Sequence, residues 1–196
     1  MTDFTILVEG YVTRKQGVLH ASSTVVVIHD SGHTIIVDPG LDRELLENAL
    51  KKWDLTTDEV DYVVITHQHP DHTLLAGMFQ KAKVVDSKYI YSYDGSMTDT
   101  GEILPGTDVE ILFTPGHDIY DCSLVIKTRE HGTVAIVGDV FWWNDGENYE
   151  TTMDGLINRE DTKAYDMSNL LQSRKIVLGN TDYIIPGHGK MFHVPR

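Results

Sequence analysis

With 196 residues, 41% of them hydrophobic, the chain is long enough to bury roughly 70% of its unfolded surface around a sizeable core, and one domain over residues 1–196 is expected. Its 16 basic against 30 acidic side chains give a net charge of −14, which excludes a broadly basic nucleic-acid face and an anionic-membrane partner, so a polyanion would have to be caught at a local site. A single cysteine, no apolar stretch near the ~20 residues of a membrane span, and a start without signal-peptide character set the expectation of a cytoplasmic protein with no intrachain disulfide.

Apolar and β-branched runs over 4–12, 24–29 and 33–37 predict strands, with Asp30-Ser31-Gly32 turning between the last two, so an opening antiparallel meander is expected. The period then changes. Over 41–53, Leu45, Leu46, Ala49, Leu50 and Trp53 share one helical face and Glu44, Glu47, Lys51 and Lys52 lie mostly opposite, predicting an amphipathic helix against a sheet. Thr56-Thr57-Asp58-Glu59 has capping-box spacing and predicts a short helical turn before the apolar run 62–65. A short helix is predicted over 73–80 and a strand over 83–86. Segment 89–106 shows turns at Asp94-Gly95 and Pro105-Gly106 but no clear element, and its Tyr91, Tyr93 and Met97 suit a pocket wall or core packing equally. Strands follow over 109–113, 122–128 and 133–137, with His131-Gly132 in a hairpin turn, then helix signals between 160 and 175 and a last strand before His188. Strands in both halves with helices outside indicate a layered α/β sandwich rather than an alternating barrel.

Four of these apolar runs end in metal-competent side chains. Run 62–65 leads into Thr66-His67-Gln68-His69-Pro70-Asp71-His72, where His67, His69, Asp71 and His72 bring imidazole and carboxylate donors that suit zinc, iron or manganese. A solvated histidine-rich turn would explain that segment alone. It does not explain why three other runs lead into Pro115-Gly116-His117, Gly138-Asp139 and Pro186-Gly187-His188. Strand ends fix the backbone while the following turn exposes a side chain at a rim, which is where a metal site is best built.

These motifs, together with Val37-Asp38-Pro39-Gly40, resemble the metallo-β-lactamase superfamily from about residue 24 onward. Val137-Gly138-Asp139-Val140-Phe141, residues 173–178 and the ending from Ile185 to Val194 are similar to the compact branch typified by metallo-β-lactamase domain-containing protein one, whose animal members are described as endoribonucleases acting on histone precursor RNA. The resemblance implies an αββα four-layer sandwich with the metal site at one edge of the central sheets. It further implies two divalent ions, zinc first with iron or manganese as alternatives. One would be held by His67, His69 and His117, the other by Asp71, His72 and His188, with Asp139 bridging. A hydroxide shared by the ions would be the nucleophile, with catalytic Asp71 orienting it or shuttling a proton. Asp38 would fix the tautomer of a ligating histidine, unless it is an ordinary turn residue.

Departures from relatives narrow the substrate. Zinc β-lactamases usually carry cysteine where Asp139 stands, so antibiotic hydrolysis is not the expected role. The chain stops eight residues after His188, without the helical region that binds glutathione thioesters in glyoxalase II. The leading expectation is hydrolysis of phosphodiester bonds in single-stranded RNA. A small ester, thioester or lactone is the alternative substrate, and a mononuclear iron dioxygenase on the same fold a third reading. Cys122 reads as an inert, partly buried thiol, and His20, His29, His33, His131 and His193 as surface or packing residues. Phe141, Trp142 and Trp143 follow Asp139 and suit the cleft wall, a homodimer contact or the core.

Overall fold

The first apolar run divides at Glu9-Gly10. In this computed structural model, which describes residues 2–196, β1 (Asp3–Val8) is followed by a hairpin of β2 (Tyr11–Lys15) and β3 (Val18–Ser22), and only then by β4 (Val25–Asp30) and β5 (His33–Val37). β1 pairs with β4 and β4 with β5, so the expected meander holds for these three, while β2–β3 forms a separate two-stranded ribbon. Its turn is Gln16-Gly17, both at positive φ (51° and 84°), as a two-residue hairpin requires. Gly10, just past the first strand, has no room for a side chain: a Cβ there would strike the backbone of Thr24 and Gly187.

Helix α1 (Arg43–Lys52) is capped by the Asp42 carboxylate, which accepts from Leu45 N at 3.1 Å. Leu46, Ala49 and Leu50 are buried, but Leu45 and Trp53, expected on the same face, are 38% and 50% exposed. The apolar stripe that docks is thus narrower than the periodicity suggests. Burial of Leu46 and Leu50, about 1.5–3 kcal/mol each, outweighs the roughly 1 kcal/mol of the cap in holding the helix down. A 3₁₀ turn (Thr57–Glu59) follows, where Glu59 accepts from Thr56 N at 2.8 Å and Thr56 Oγ1 at 2.6 Å, as the capping box predicts.

Next come β6 (Tyr62–Val64), α2 (Pro70–Thr73), a 3₁₀ turn (Ala76–Met78), β7 (Lys83–Val85), β8 (Tyr89–Tyr91) and β9 (Met97–Asp99). The helix expected over 73–80 instead begins at Pro70, whose ring presets the first helical φ. Segment 89–106, which shows no clear element in the sequence, supplies the β8–β9 hairpin, which completes a seven-stranded sheet of order β1-β4-β5-β6-β7-β8-β9. The second sheet has β10 (Glu110–Phe113), β11 (Cys122–Thr128), β12 (Gly132–Ile136), β13 (Tyr183–Ile185) and β14 (Phe192–His193) in that order. Between β12 and β13 lie α3 (Met153–Asn158), which the sequence did not signal, and α4 (Met167–Asn180). Residues 160–166, at the start of the stretch expected to be helical, are irregular, as is Arg159 before them.

Alternation along the strands builds the layers. Val26, Ile28, Ile35, Val37, Tyr62 and Val64 face Leu124, Ile126, Val134 and Ile136 between the sheets. Their neighbours Val27, Ile36 and Val63 pack under α1 with Leu46 and Leu50. Val125, Ala135 and Ile184 pack under α3 and α4 with Leu156, Leu170 and Val177. The result is the expected αββα sandwich. β5, β6 and β7 run parallel; β10 and β12 are both antiparallel to β11, and β13 is parallel to β12. The C-terminal ends of β10, β12 and β13 therefore emerge together at one edge of their sheet. No helix among the described residues is long and apolar enough to cross a membrane.

Candidate metal centre

Beyond β6, Thr66 N donates to Asp38 Oδ1 at 2.8 Å and Thr66 Oγ1 to Asp38 Oδ2 at 2.6 Å, so the end of β5 anchors the start of the histidine segment. Cys122 N donates to Thr66 O at 2.8 Å and ties that anchor to the second sheet. α2 then carries Asp71 and His72 back toward His67. On the other sheet, Gly116 turns the chain after β10 to present His117, and Asp139 sits in a 3₁₀ turn (Gly138–Val140) after β12. Gly187 precedes His188, with its N–H donating to Gly138 O at 2.7 Å; a Cβ at this position would overlap Asp139 Oδ1.

All seven side chains expected as ligands come together, in two abutting groups: His67, His69, His117 and Asp139, and Asp71, His72 and His188. His69 Nδ1 lies 3.0 Å from His67 Nε2 and 3.2 Å from His117 Nε2. His188 Nε2 lies 3.3 Å from both His72 Nε2 and Asp71 Oδ2. Asp139 divides its oxygens between the groups. Oδ2 is 3.3 Å from His117 Nε2 and 3.8 Å from His67 Nε2, while Oδ1 is 3.3 Å from His72 Nε2 and 3.6 Å from His188 Nε2.

Outer hydrogen bonds fix the imidazole tautomers. His72 Nδ1–H donates to Asp38 Oδ2 at 2.8 Å, His117 Nδ1–H to Asp161 Oδ2 at 2.8 Å and His188 Nδ1–H to Ser22 O at 3.0 Å. Thr66 Oγ1, its own proton directed to Asp38, accepts from His67 Nδ1–H at 3.1 Å. In its neutral form each of these rings therefore turns an Nε2 lone pair inward. Lone pairs and carboxylate oxygens facing one another repel unless a cation lies among them, and Asp139 Oδ1 is buried with no hydrogen-bond partner. A tetrahedral cation with bonds of roughly 2.0–2.1 Å wants donors about 3.3 Å apart, which matches these separations. The donor set fits divalent metal ions.

The titration of the groups tells the same story. Burial, reinforced by His72, holds the His67 imidazole well below its ordinary pKa, and burial with His117 lowers His69. Burial also opposes charge on His72, but the Asp139 and Asp38 carboxylates overcome it and raise this ring well above the ordinary range. His117 is likewise raised against burial by Asp161 and Asp139. Asp139 is held well below the usual carboxylate range, burial notwithstanding, by His188 and His72. Without metal the pocket draws in protons as counter-charge, and bound cations would displace them.

Asp38, read from sequence as a tautomer-fixing residue or a turn, contacts His72 directly and His67 through Thr66. Asp161 and the Ser22 carbonyl were not foreseen; neither lies in a motif, and Asp161 is 44 positions from His117. Phe141 and Trp143 are buried under α3 and α4, leaving Trp142 as the aromatic side chain of that triplet that joins the centre, through an indole N–H donated to Asp161 Oδ2 at 3.1 Å. His20, His29, His33, His131 and His193 lie outside both groups. Cys122 is fully rather than partly buried, and burial pushes its thiol well up.

The family model for the metallo-beta-lactamase superfamily matches residues 17–188. An uncharacterised protein of Caenorhabditis elegans is 30% identical over 91% of this chain and 50% of its own length, so the chain spans about half of that relative. Metallo-beta-lactamase domain-containing protein 1 of Xenopus laevis is 29% identical over 96% of this chain and 80% of its own length. The crystal structure of a metallo-beta-lactamase-like protein from Thermotoga maritima superposes with a TM-score of 0.74 at 21% identity, covering 98% of this chain and 99% of that one. Motif, donor geometry and these likenesses agree, and the chain belongs to the metallo-beta-lactamase superfamily.

Proposed function

We propose that the protein is a hydrolase that works with two divalent cations, zinc first, on the phosphodiester bonds of single-stranded RNA. The observation that carries the two-cation reading is the division of Asp139, one oxygen toward His67 and His117 and the other toward His72 and His188. His67, His69 and His117 would hold one ion, Asp71, His72 and His188 the other, and Asp139 would span both. Bound there, such ions supply Lewis-acid polarisation of the scissile bond and activation of water near neutral pH. Asp71, with 22% of its side chain exposed against 7% for Asp139, is the ligand carboxylate with access to solvent. That access supports Asp71 as the group that orients water and takes up its proton. The RNA reading is supported by likeness to the branch of metallo-β-lactamase domain-containing protein one.

A second substrate class has its own support. Asp118 Oδ2 and Asp86 Oδ2 each lie 3.5 Å from Gln68, between the ligands His67 and His69, so this rim is acidic and favours a small neutral ester, thioester or lactone over a polyanion. The deciding experiment loads the protein separately with zinc, manganese and iron and assays single-stranded RNA, simple phosphodiesters, thioesters and lactones. RNA cleavage by protein holding two ions is the expected result. Turnover of the small esters alone would move the assignment to the second class, and one iron with oxygen uptake would replace both with a dioxygenase.

A further inference from the structure

His117 differs from the other imidazoles in what stands behind it. Its Nδ1–H donates to Asp161 Oδ2, and this buried carboxylate also accepts from Trp142 Nε1 on the same oxygen and from Lys163 N at 2.8 Å on the other. Asp161 belongs to the irregular stretch 159–166 between the outer helices, so its position is set by what pins that stretch. One pin is Arg174 on α4, fully buried. Its Nε donates to Val140 O at 3.0 Å, next to Asp139, and its guanidinium also donates to the carbonyls of Ile157 and Arg159, just before Asp161. The other pin lies just after Asp161, where Tyr165 N donates to His117 O at 3.0 Å and Asp166 N to Gly116 O at 2.9 Å.

We propose that Asp161, held in place by Arg174, is a positioning residue that keeps His117 in its ligating tautomer and sets the metal affinity of the His67, His69 and His117 group independently of the other group. This rests on the two-cation reading above. The physical reason is that an imidazole released from Asp161 can carry its proton on Nε2, which turns the inward lone pair into an N–H and removes one donor. The carboxylate also makes the ring a better donor through the hydrogen bond, an effect whose loss typically costs 10–100-fold in metal affinity. Asp38 cannot separate the two groups, since it serves His72 directly and His67 through Thr66. Asp161 touches His117 alone among the seven ligands.

The test has two readouts, neither of them activity. In metal-free protein, at a pH where the ring is neutral, nitrogen-15 NMR of the histidine side chains should find His117 protonated on Nδ1 in the wild type and shifted toward Nε2–H in Asp161→Ala. In chelator competition, one of two stepwise zinc constants should weaken by about 10–100-fold in Asp161→Ala, with the other unchanged. Asp161→Asn, whose amide oxygen still accepts from both rings, should show a smaller loss and carries the test if the alanine variant does not fold. An unshifted tautomer, or both constants falling together in a folded variant, would overturn the role of Asp161. A wild type that takes up fewer than two ions would overturn the two-cation reading instead, and the metal-free NMR result would still decide what Asp161 does.

Discussion

Asp139 is the residue on which the centre turns, because its two oxygens face different imidazole pairs while Gly187, lacking a Cβ, leaves room for one of them. Asp139→Asn keeps the shape but places an N–H₂ where one oxygen stood, pointing a donor at an incoming cation. Elemental analysis should find fewer than two zinc ions per chain, and turnover should fall by at least about 10–100-fold. Two tightly held ions with unchanged turnover would show that Gly138-Asp139 is only a turn. His117→Ala is expected to act on the first group alone, leaving a folded protein that binds a single ion through Asp71, His72 and His188. Circular dichroism with a metal count checks both halves of that expectation, and wild-type metal content would contradict it.

At the scale of elements, the end of β10 is held by the residue before β11. The turn that presents His117 is closed by Asp121: Thr114 N donates to its carbonyl at 3.0 Å and Asp118 N to its Oδ2 at 2.6 Å, while Oδ1 is buried without a partner. Burial pushes this carboxyl up to about 7. An acid whose folded pKa exceeds the unfolded value of about 3.9 binds more protons folded than unfolded, so its contribution to stability falls as pH rises from about 4 to about 7 and is level beyond. Asp121→Asn removes that loss. Metal-free Asp121→Asn should therefore be more stable than wild type above pH 7, on the order of 2–4 kcal/mol, with the gap closing toward pH 4. Thermal unfolding across that range measures it, and a gap that does not vary with pH would mean that folding leaves the Asp121 carboxyl unshifted.

For the molecule as a whole, charge is the governing quantity. A net −14 spread over the chain disfavours an RNA substrate on average, so the proposed contact would be confined to cations held at the centre and lysines such as Lys190, two residues past His188. Single-stranded RNA loses log affinity at about −0.7 per neutralised phosphate against log salt, so contact with two or three phosphates should give a slope of about −2 or shallower. If RNA is the substrate, short oligonucleotides should then be cut about as well as long ones. A steep slope with strong length dependence would point to an extended binding face.

The seven candidate metal donors were legible in the sequence because they stand just after four apolar runs, and the signals that mark them are local: β-strand alternation and Pro-Gly or Gly-Asp chemistry act over a few residues. The layered fold was legible for the same reason. Tertiary structure alone decided what depends on who packs against whom. Periodicity put Leu45 and Trp53 on the buried face of α1, but the sheet beneath accommodates only Leu46, Ala49 and Leu50. Phe141, Trp142 and Trp143 look alike in sequence, yet the alternation of an irregular segment sends two into the core and leaves Trp142 beside Asp161. Between β1 and the β2–β3 ribbon, Gly10 passes so close to Thr24 and Gly187 that a Cβ would not fit, a contact between distant segments that the sequence does not show. Asp161 meets His117 only when α4 packs over the second sheet and Arg174 pins the irregular stretch before it. Local rules reach along the chain for one or two turns; the outer supports of the ligands come from across the fold, where only packing selects them.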